Sequence, residues 1–167
     1  FRYYNADGGE GDDTITLSDG SQHTARVPSG ASTGAHEARE LRDAGTPKAE
    51  SFYAGKSVFT AVENINTKIA PKLLGHSLNL AAIDGLLVEL DPTPGHQVVG
   101  ANATLATSLA VAKAAAHATG KSVARYFQPE GALLLPMPMV NILSGGAHAN
   151  RSLDIQDVLV IPHAATN

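Results

Sequence analysis

The segment Thr24-Ala25-Arg26-Val27-Pro28-Ser29-Gly30-Ala31-Ser32-Thr33-Gly34 leads the chain from a predicted β-strand into a predicted helix. Its first four residues alternate between polar and apolar side chains, as in a strand with one buried face. Residues 28–34 hold two glycines, several hydroxyls and no side chain that would fill a core. Such a loop can move, and it can bring backbone N–H groups and hydroxyls close to a charged ligand. A flexible connector is the alternative, and the composition of the loop alone favours it.

A β-hairpin is predicted directly before this loop. Residues 14–17 alternate like residues 24–27, and the Ser-Asp-Gly-Ser sequence of residues 18–21 is typical of a turn. Residues 1–13 are polar and glycine-rich, so we interpret them as poorly ordered or as a weakened sheet edge.

Helical patterns follow the loop. A short charged helix is predicted at residues 35–42, and an apolar stripe over residues 58–69 predicts a second helix that is stopped by Pro71. The remaining predicted helices are residues 80–90, residues 101–119 with Gly120 as C-terminal cap, and residues 122–127 with Ser122 as N-cap. A hairpin followed by helices predicts an α+β layer.

The pattern changes near Leu135. An apolar stretch interrupted by prolines is followed by a glycine loop at residues 144–150 and by a β-branched strand at residues 155–161. These features predict the opening strands of a second, more buried sheet.

Composition excludes several classes of function. The chain has 167 residues, of which 43% are hydrophobic and 17% charged, so it is long enough for a core. The net charge of -4 and the lack of a basic run argue against nucleic acid and anionic membranes as partners. No apolar run is long enough to span a membrane, and the absence of cysteine is consistent with a cytosolic protein.

Three residues near the second glycine loop are candidates for chemistry. His148 lies in the loop, and Gln156 and Asp157 lie in the strand that follows. A buried carboxylate next to an amide is costly unless it meets a cation, a metal or another partner. The alternative is that these residues lie at an exposed strand start or on the surface and are only solvated. The spacing of His148 and Asp157 is not that of a metal-binding motif.

Four ordered motifs resemble the enolase (phosphopyruvate hydratase) family. Residues 27–38 are similar to its catalytic loop, residues 90–94 to its Leu-Asp-Gly-Thr-Pro segment, and residues 100–103 with 108–114 to its long helix. Residues 136–149 and 154–157 are similar to the start of its barrel. The resemblance extends from about Thr14 to Pro162.

This resemblance implies a fold and a reaction. The fold would be an α+β N-terminal domain over residues 1–132, in which an antiparallel hairpin or meander packs on helices. Residues 133–167 would be the opening hairpin of an α/β (TIM-like) barrel. Enolases convert 2-phosphoglycerate reversibly to phosphoenolpyruvate with two Mg²⁺ ions, so we expect this substrate, Mg²⁺, a homodimer or higher homo-oligomer and a cytoplasmic location.

The resemblance also implies roles for single residues. Ser32 would bind the second Mg²⁺, since hard oxygen ligands suit this ion. Gly30 and Ala31 would belong to the same closing lid and contact substrate. His148 would lie near the substrate phosphate, Gln156 would contact substrate, and Asp157 would lie near the leaving hydroxyl; His148 and Asp157 are thus the expected catalytic residues.

The chain also departs from the family pattern. Asp157 stands in place of a glutamate and is shorter by roughly 1.5 Å, and Ser144 replaces the usual asparagine. The family's N-terminal Ser-Arg-Gly-Asn-Pro-Thr motif is absent, which puts the first strand and a nearby dimer contact in doubt. The expected base lysine, acid glutamate and main metal carboxylates would lie beyond Asn167.

The chain is therefore interpreted as the N-terminal part of an enolase, inactive on its own. Two alternatives remain open. One is a divergent enolase-like protein kept for binding or assembly, with weakened catalysis. The other is a related acid-sugar dehydratase of the wider superfamily.

Overall fold

The computed structural model describes residues 2–4, 11–29, 34–45, 53–149 and 153–163. The chain divides into two units, of which the first comprises residues 1–29 and 35–129. The second unit comprises residues 30–34 and 130–167. A three-stranded sheet and the α-helices belong to the first unit, and a two-stranded hairpin belongs to the second.

Three antiparallel strands form the sheet of the first unit. They are β1 (Arg2–Tyr4), β2 (Gly11–Thr16) and β3 (Gln22–Val27), in the order β1-β2-β3. The predicted hairpin is confirmed as β2 and β3, with Leu17 N donating to Ser21 O at 2.9 Å across the turn.

Of the two interpretations of residues 1–13, the described residues support the sheet edge. Residues 2–4 pair with β2, with Arg2 opposite Thr14 and Tyr4 opposite Asp12. Strand pairing uses main-chain groups, so the polar sequence does not prevent it. The first strand therefore forms without the family's N-terminal motif, and it lies at the sheet edge, as the alternative interpretation expected.

The longest helix packs on this sheet. Helix α4 (Ala101–Ala118) contacts β2 and β3, and most of its alanines are buried. Ala110 and Ala114 are both 0% exposed. Small side chains allow a helix backbone to approach a sheet closely. Gly120, with φ of 65°, follows the helix end in the left-handed region where glycine is favoured.

The helix predicted to stop at Pro71 instead passes through it. Helix α1 (Phe59–Asn64) continues into a π-helical turn (Ile65–Ile69) and then into α2 (Ala70–Leu73). The wider turn changes the hydrogen-bond pattern just before the proline, which then lies in the first turn of α2, where a missing N–H is tolerated. Ile65, Ile69 and Leu73 remain buried on one side.

Two further helices have the predicted bounds, and the predicted cap of the second is confirmed. Helix α3 spans Leu80–Leu90, and its N-cap Asn79 accepts a hydrogen bond from Ala82 N at 3.1 Å. Helix α5 spans Val123–Phe127, and Ser122 Oγ accepts from Arg125 N at 3.2 Å, as predicted. Tyr53–Gly55 forms a short 3₁₀ helix before α1.

The charged helix predicted at residues 35–42 does not form, and that prediction is wrong. The segment is turn and extended chain whose backbone groups bond elsewhere. Arg39 N donates to Gly95 O at 2.7 Å, and Ala101 N donates to Arg39 O at 2.8 Å. These long-range partners replace the bonds that a helix would supply, so tertiary contacts override the local preference.

The second unit contains strands β4 (Val140–Ser144) and β5 (Asp157–Val160), which pair antiparallel. A 3₁₀ helix (Gly146–Ala149) follows β4. All residues of both strands are exposed, for example Ile142 at 58%. The expected burial of this sheet is not seen in the described residues, whereas the predicted pairing of its two strands is confirmed.

Candidate active site

A β-bulge shapes the hairpin that carries two of the candidate residues. Asn141 lies opposite Leu159, but Leu143 lies opposite Val158, so Ile142 is an extra residue in β4. In a regular strand, residues three apart face opposite sides. The extra residue restores the phase, and Asn141 and Ser144 consequently face the same side.

Asp157 meets both of these side chains. Asn141 Nδ2 donates to Asp157 Oδ1 at 2.8 Å, and Ser144 Oγ donates to the same oxygen at 3.0 Å. Asn141 Nδ2 also donates to Ser144 Oγ at 2.7 Å. Asp157 is exposed at the start of β5, as the alternative expected, and it also accepts hydrogen bonds from two side chains.

The second glycine loop is joined to the residues that precede β5. Gly145 N donates to Gln156 O at 2.6 Å, and Gly146 N donates to Leu153 O at 3.0 Å. A Cβ added at Gly145 would lie 2.1 Å from Ile155 O, so only glycine fits this approach. The loop therefore runs directly alongside the segment that leads to Gln156 and Asp157.

The structure brings the chain segments of three expected site residues together. Gln156 is exposed and immediately precedes Asp157, the first residue of β5. The backbone of His148 lies in the 3₁₀ helix that begins at Gly146, and its side chain is outside the described part. Gly30, Ala31 and Ser32 also lie outside the described residues, so their roles remain predictions.

Both flanks of the first glycine loop are described, and they are anchored within the first unit. Ser29 Oγ donates to Glu40 Oε2 at 3.1 Å, and Glu40 forms an ion pair with Arg42. Asn102 binds both backbone groups of Leu41, accepting from its N–H and donating to its C=O, each at 3.1 Å. The side-chain amide of Asn102 thus bonds the backbone of Leu41 in the way that a neighbouring β-strand would.

Asp43 and Asp91 have a lowered pKa, and their hydrogen bonds hold parts of the fold together. Burial alone would raise the pKa of Asp43, but hydrogen bonds from Thr60, Ser57 and Phe59 N outweigh it and lower the pKa. They hold the start of α1. Burial alone would also raise the pKa of Asp91, but hydrogen bonds from the Thr93 hydroxyl, Val99 N and Val98 N outweigh it and lower the pKa.

Sequence reasoning missed Asn141, Ser144 and Asn102 as contributors to these arrangements. The bulge at Ile142 has no periodic signal, so strand alternation would place Asn141 and Ser144 on opposite faces. For Asn102, its position at the start of a helix was visible, but its partner Leu41 is 61 residues away in sequence.

Two features are absent from the described residues. No group of three or more His, Cys, Asp or Glu side chains in those ranges is arranged to hold a metal ion. Within the same ranges, none of the helices combines the length and the apolar character that crossing a membrane requires.

Comparison with known proteins gives the family. Residues 12–127 match the description "Enolase, N-terminal domain", and residues 132–167 match "Enolase, C-terminal TIM barrel domain". The enolase of Sulfurimonas denitrificans is 48% identical over 150 residues, which are 89% of this chain and 34% of that protein. The chain thus spans about a third of the length of this curated relative. Because the N-terminal match alone covers more than half of the sequence, the chain belongs to the enolase family.

Proposed function

We propose that the protein catalyses the reversible dehydration of 2-phosphoglycerate to phosphoenolpyruvate in glycolysis and gluconeogenesis. Membership of the enolase family supports this reaction. The structural observation that carries the proposal is the β4–β5 hairpin. Through the Gly145–Gln156 backbone bond it sets the turn that bears His148 beside Gln156 and Asp157.

Each of these three residues has a chemically suitable role. An imidazole N–H of His148 would donate to a phosphate oxygen, and the amide of Gln156 would bind polar groups of the substrate. Asp157 would lie near the C3 hydroxyl that leaves, where its carboxylate accepts a proton or a hydrogen bond directly or through water. Asp157 and Gln156 are both exposed, so both are accessible to a ligand.

The proposed cofactor is Mg²⁺, which as a Lewis acid would stabilise the charge that develops on the substrate. The hydroxyl and carbonyl oxygens of Ser32 would be one set of ligands, in keeping with the preference of this ion for oxygen. The described residues do not form a metal-binding group by themselves. They supply no complete ligand set. Gly30 and Ala31 would close over the bound substrate.

The test is an assay of the purified full-length protein with 2-phosphoglycerate. We expect phosphoenolpyruvate to form only when Mg²⁺ is present, and residues 1–167 alone to show no turnover. Ser32→Ala should raise the Mg²⁺ concentration needed, whereas Ser29→Ala, which removes only the hydroxyl that contacts Glu40, should not. Absence of turnover, or turnover independent of Mg²⁺, would contradict the proposal. Turnover of acid sugars in place of 2-phosphoglycerate would favour the superfamily alternative.

The second candidate is an enolase-like protein kept for binding or assembly. Asp157 in place of the family's glutamate favours it, because catalytic geometry is sensitive to shifts of the size of one bond. Binding of 2-phosphoglycerate without turnover by the full-length protein would support this candidate.

We also propose that the full-length protein is a homodimer or higher homo-oligomer and acts in the cytoplasm. Both follow from the proposed glycolytic activity. Light scattering of the purified protein measures the first, and fractionation of cells measures the second.

A further inference from the structure

We infer that Asn141 and Ser144 are positioning residues that fix the carboxylate of Asp157 for the reaction; this inference rests on the proposed function. In this role, the side chains of Asn141 and Ser144 do not contact substrate. They act through Asp157. Their hydrogen bonds determine which carboxylate oxygen remains free to bind substrate or water, and how that oxygen is oriented.

The donors and acceptors of the three hydrogen bonds can be assigned. A carboxylate only accepts, so the nitrogen of the Asn141 amide must face Asp157, and the serine hydrogen must point to it as well. Asn141 Nδ2 carries two hydrogens, one for Asp157 Oδ1 at 2.8 Å and one for Ser144 Oγ at 2.7 Å. Ser144 then uses its single hydrogen for Asp157 Oδ1 at 3.0 Å. Every donor hydrogen in the cluster is therefore used.

The two carboxylate oxygens of Asp157 differ in their hydrogen-bond partners. Both donors bind Oδ1, and among the described residues Oδ2 receives no hydrogen bond. The carboxylate is thus held by one oxygen, while the other keeps its lone pairs for a hydroxyl or a water. Hydrogen bonds to a charged acceptor are the stronger kind, so they can hold the side chain although it is exposed.

The bulge in β4 makes this cluster possible. Without the extra residue Ile142, Asn141 and Ser144 would face opposite sides of β4, and only one could reach Asp157. Bulges are frequent next to active sites, where they redirect a side chain. Here the bulge converts two strand residues into a pair of donors aimed at one oxygen.

The test compares kcat and KM for variants of the full-length protein with 2-phosphoglycerate. Ser144→Ala should lower kcat by about tenfold to a hundredfold with little change in KM, since a misplaced carboxylate affects the reacting geometry more than binding. Ser144→Thr keeps the hydroxyl and should restore most of kcat. Leu143→Ala is the matched control, because Leu143 is a neighbour in the same strand and takes no part in these three bonds.

A double-variant cycle separates positioning from a general structural effect. In an Asp157→Ala background, Ser144→Ala should cause no further loss of kcat, because Ser144 acts only through Asp157. An equal loss in both backgrounds would overturn the inference, as would wild-type kcat in Ser144→Ala. Asn141→Ala is expected to behave like Ser144→Ala; if it does not fold, as judged by circular dichroism, the serine variants decide. A wild-type protein without turnover would instead overturn the proposed function, and the inference with it.

Discussion

Thr107 Oγ1 lies 2.7 Å from Asp13 Oδ2, and this bond joins the central strand of the sheet to the helix that covers it. Both residues are 0% exposed. Asp13 Oδ1 is buried as well, and among the described residues it has no hydrogen-bond partner. Thr107 Oγ1 also lies 3.0 Å from Ala103 O. A protonated Asp13 would donate to the threonine and leave the threonine hydrogen for the helix carbonyl.

Burial raises the pKa of Asp13, and from this we predict a specific pH dependence of stability. A carboxyl whose pKa is higher in the folded state holds its proton more tightly there, so its contribution is complete below about pH 4 and is lost as pH rises through the raised pKa. Asp13→Asn should therefore reduce the fall in the free energy of unfolding between about pH 4 and neutral pH. Urea unfolding at a series of pH values measures this.

Asp19 provides a control of opposite sign for this experiment. It lies in the hairpin turn, and hydrogen bonds from the side chain and backbone of Ser21 lower its pKa. Its contribution is present above about pH 4 and is lost on acidification. If Asp13→Asn and Asp19→Asn change the pH profile in the same direction, the assignment for Asp13 is wrong.

Asp43→Ala should destabilise the protein by about 1–2 kcal/mol at neutral pH, in the range found for loss of a helix cap. Its carboxylate accepts from Phe59 N at 2.6 Å and Thr60 N at 2.9 Å, at the start of α1. The pKa of Asp43 is lowered, so the difference from wild type should shrink as pH falls below about 4. Thermal unfolding followed by circular dichroism checks both effects. Glu89→Ala, at an exposed position of α3, is the control that should change little.

Gly100→Ala should be more destabilising than Gly120→Ala. Both glycines have positive φ, 100° and 65°, so an alanine is strained at either position. A Cβ at Gly120 meets nothing within 4 Å, whereas one at Gly100 would lie 2.7 Å from Leu41 Cβ and 2.8 Å from Asn102 Oδ1. We expect an additional cost of about 1–3 kcal/mol at Gly100, typical of overpacking. Equal costs in chemical denaturation would show that the contact with Leu41 relaxes freely.

Asp157→Glu should lower the turnover of 2-phosphoglycerate by the full-length protein. The added methylene would move the carboxylate by roughly 1.5 Å and away from Asn141 and Ser144. Steady-state kinetics measure the effect, and Asp154→Glu, the same change three residues earlier at an exposed position, is the control. A higher turnover in Asp157→Glu would mean that the shorter side chain is a handicap for catalysis.

Local patterns predicted much of the first unit. The β2–β3 hairpin, α3, α4 and the Ser122 cap of α5 depend on periodicity, turn residues and caps, which act over a few neighbouring residues. The helix predicted at residues 35–42 failed because distant residues, Gly95 and Asn102 among them, bind that segment's backbone. The stop predicted at Pro71 failed because the π-helical turn before it has no simple sequence signal.

The site was predictable only as far as its residues stand in motifs. Resemblance pointed to His148, Gln156 and Asp157, and the pairing of β4 with β5 brings their segments together. Nothing in the pattern indicated that Ser144 and Asp157, two departures from the family, contact each other. That contact depends on one extra residue in a strand. A shift of one residue moves each following side chain to the other face of the sheet.

The two anchors beside the first glycine loop differ in their response to ionic strength. The Glu40–Arg42 pair is charged and partly exposed, so added salt screens it. The two hydrogen bonds between Asn102 and Leu41 join neutral groups that are partly buried, and screening leaves them unchanged. At high salt the contact between Ser29 and Glu40 therefore loses the support of the arginine, while the chain at Leu41 stays fixed to the start of α4.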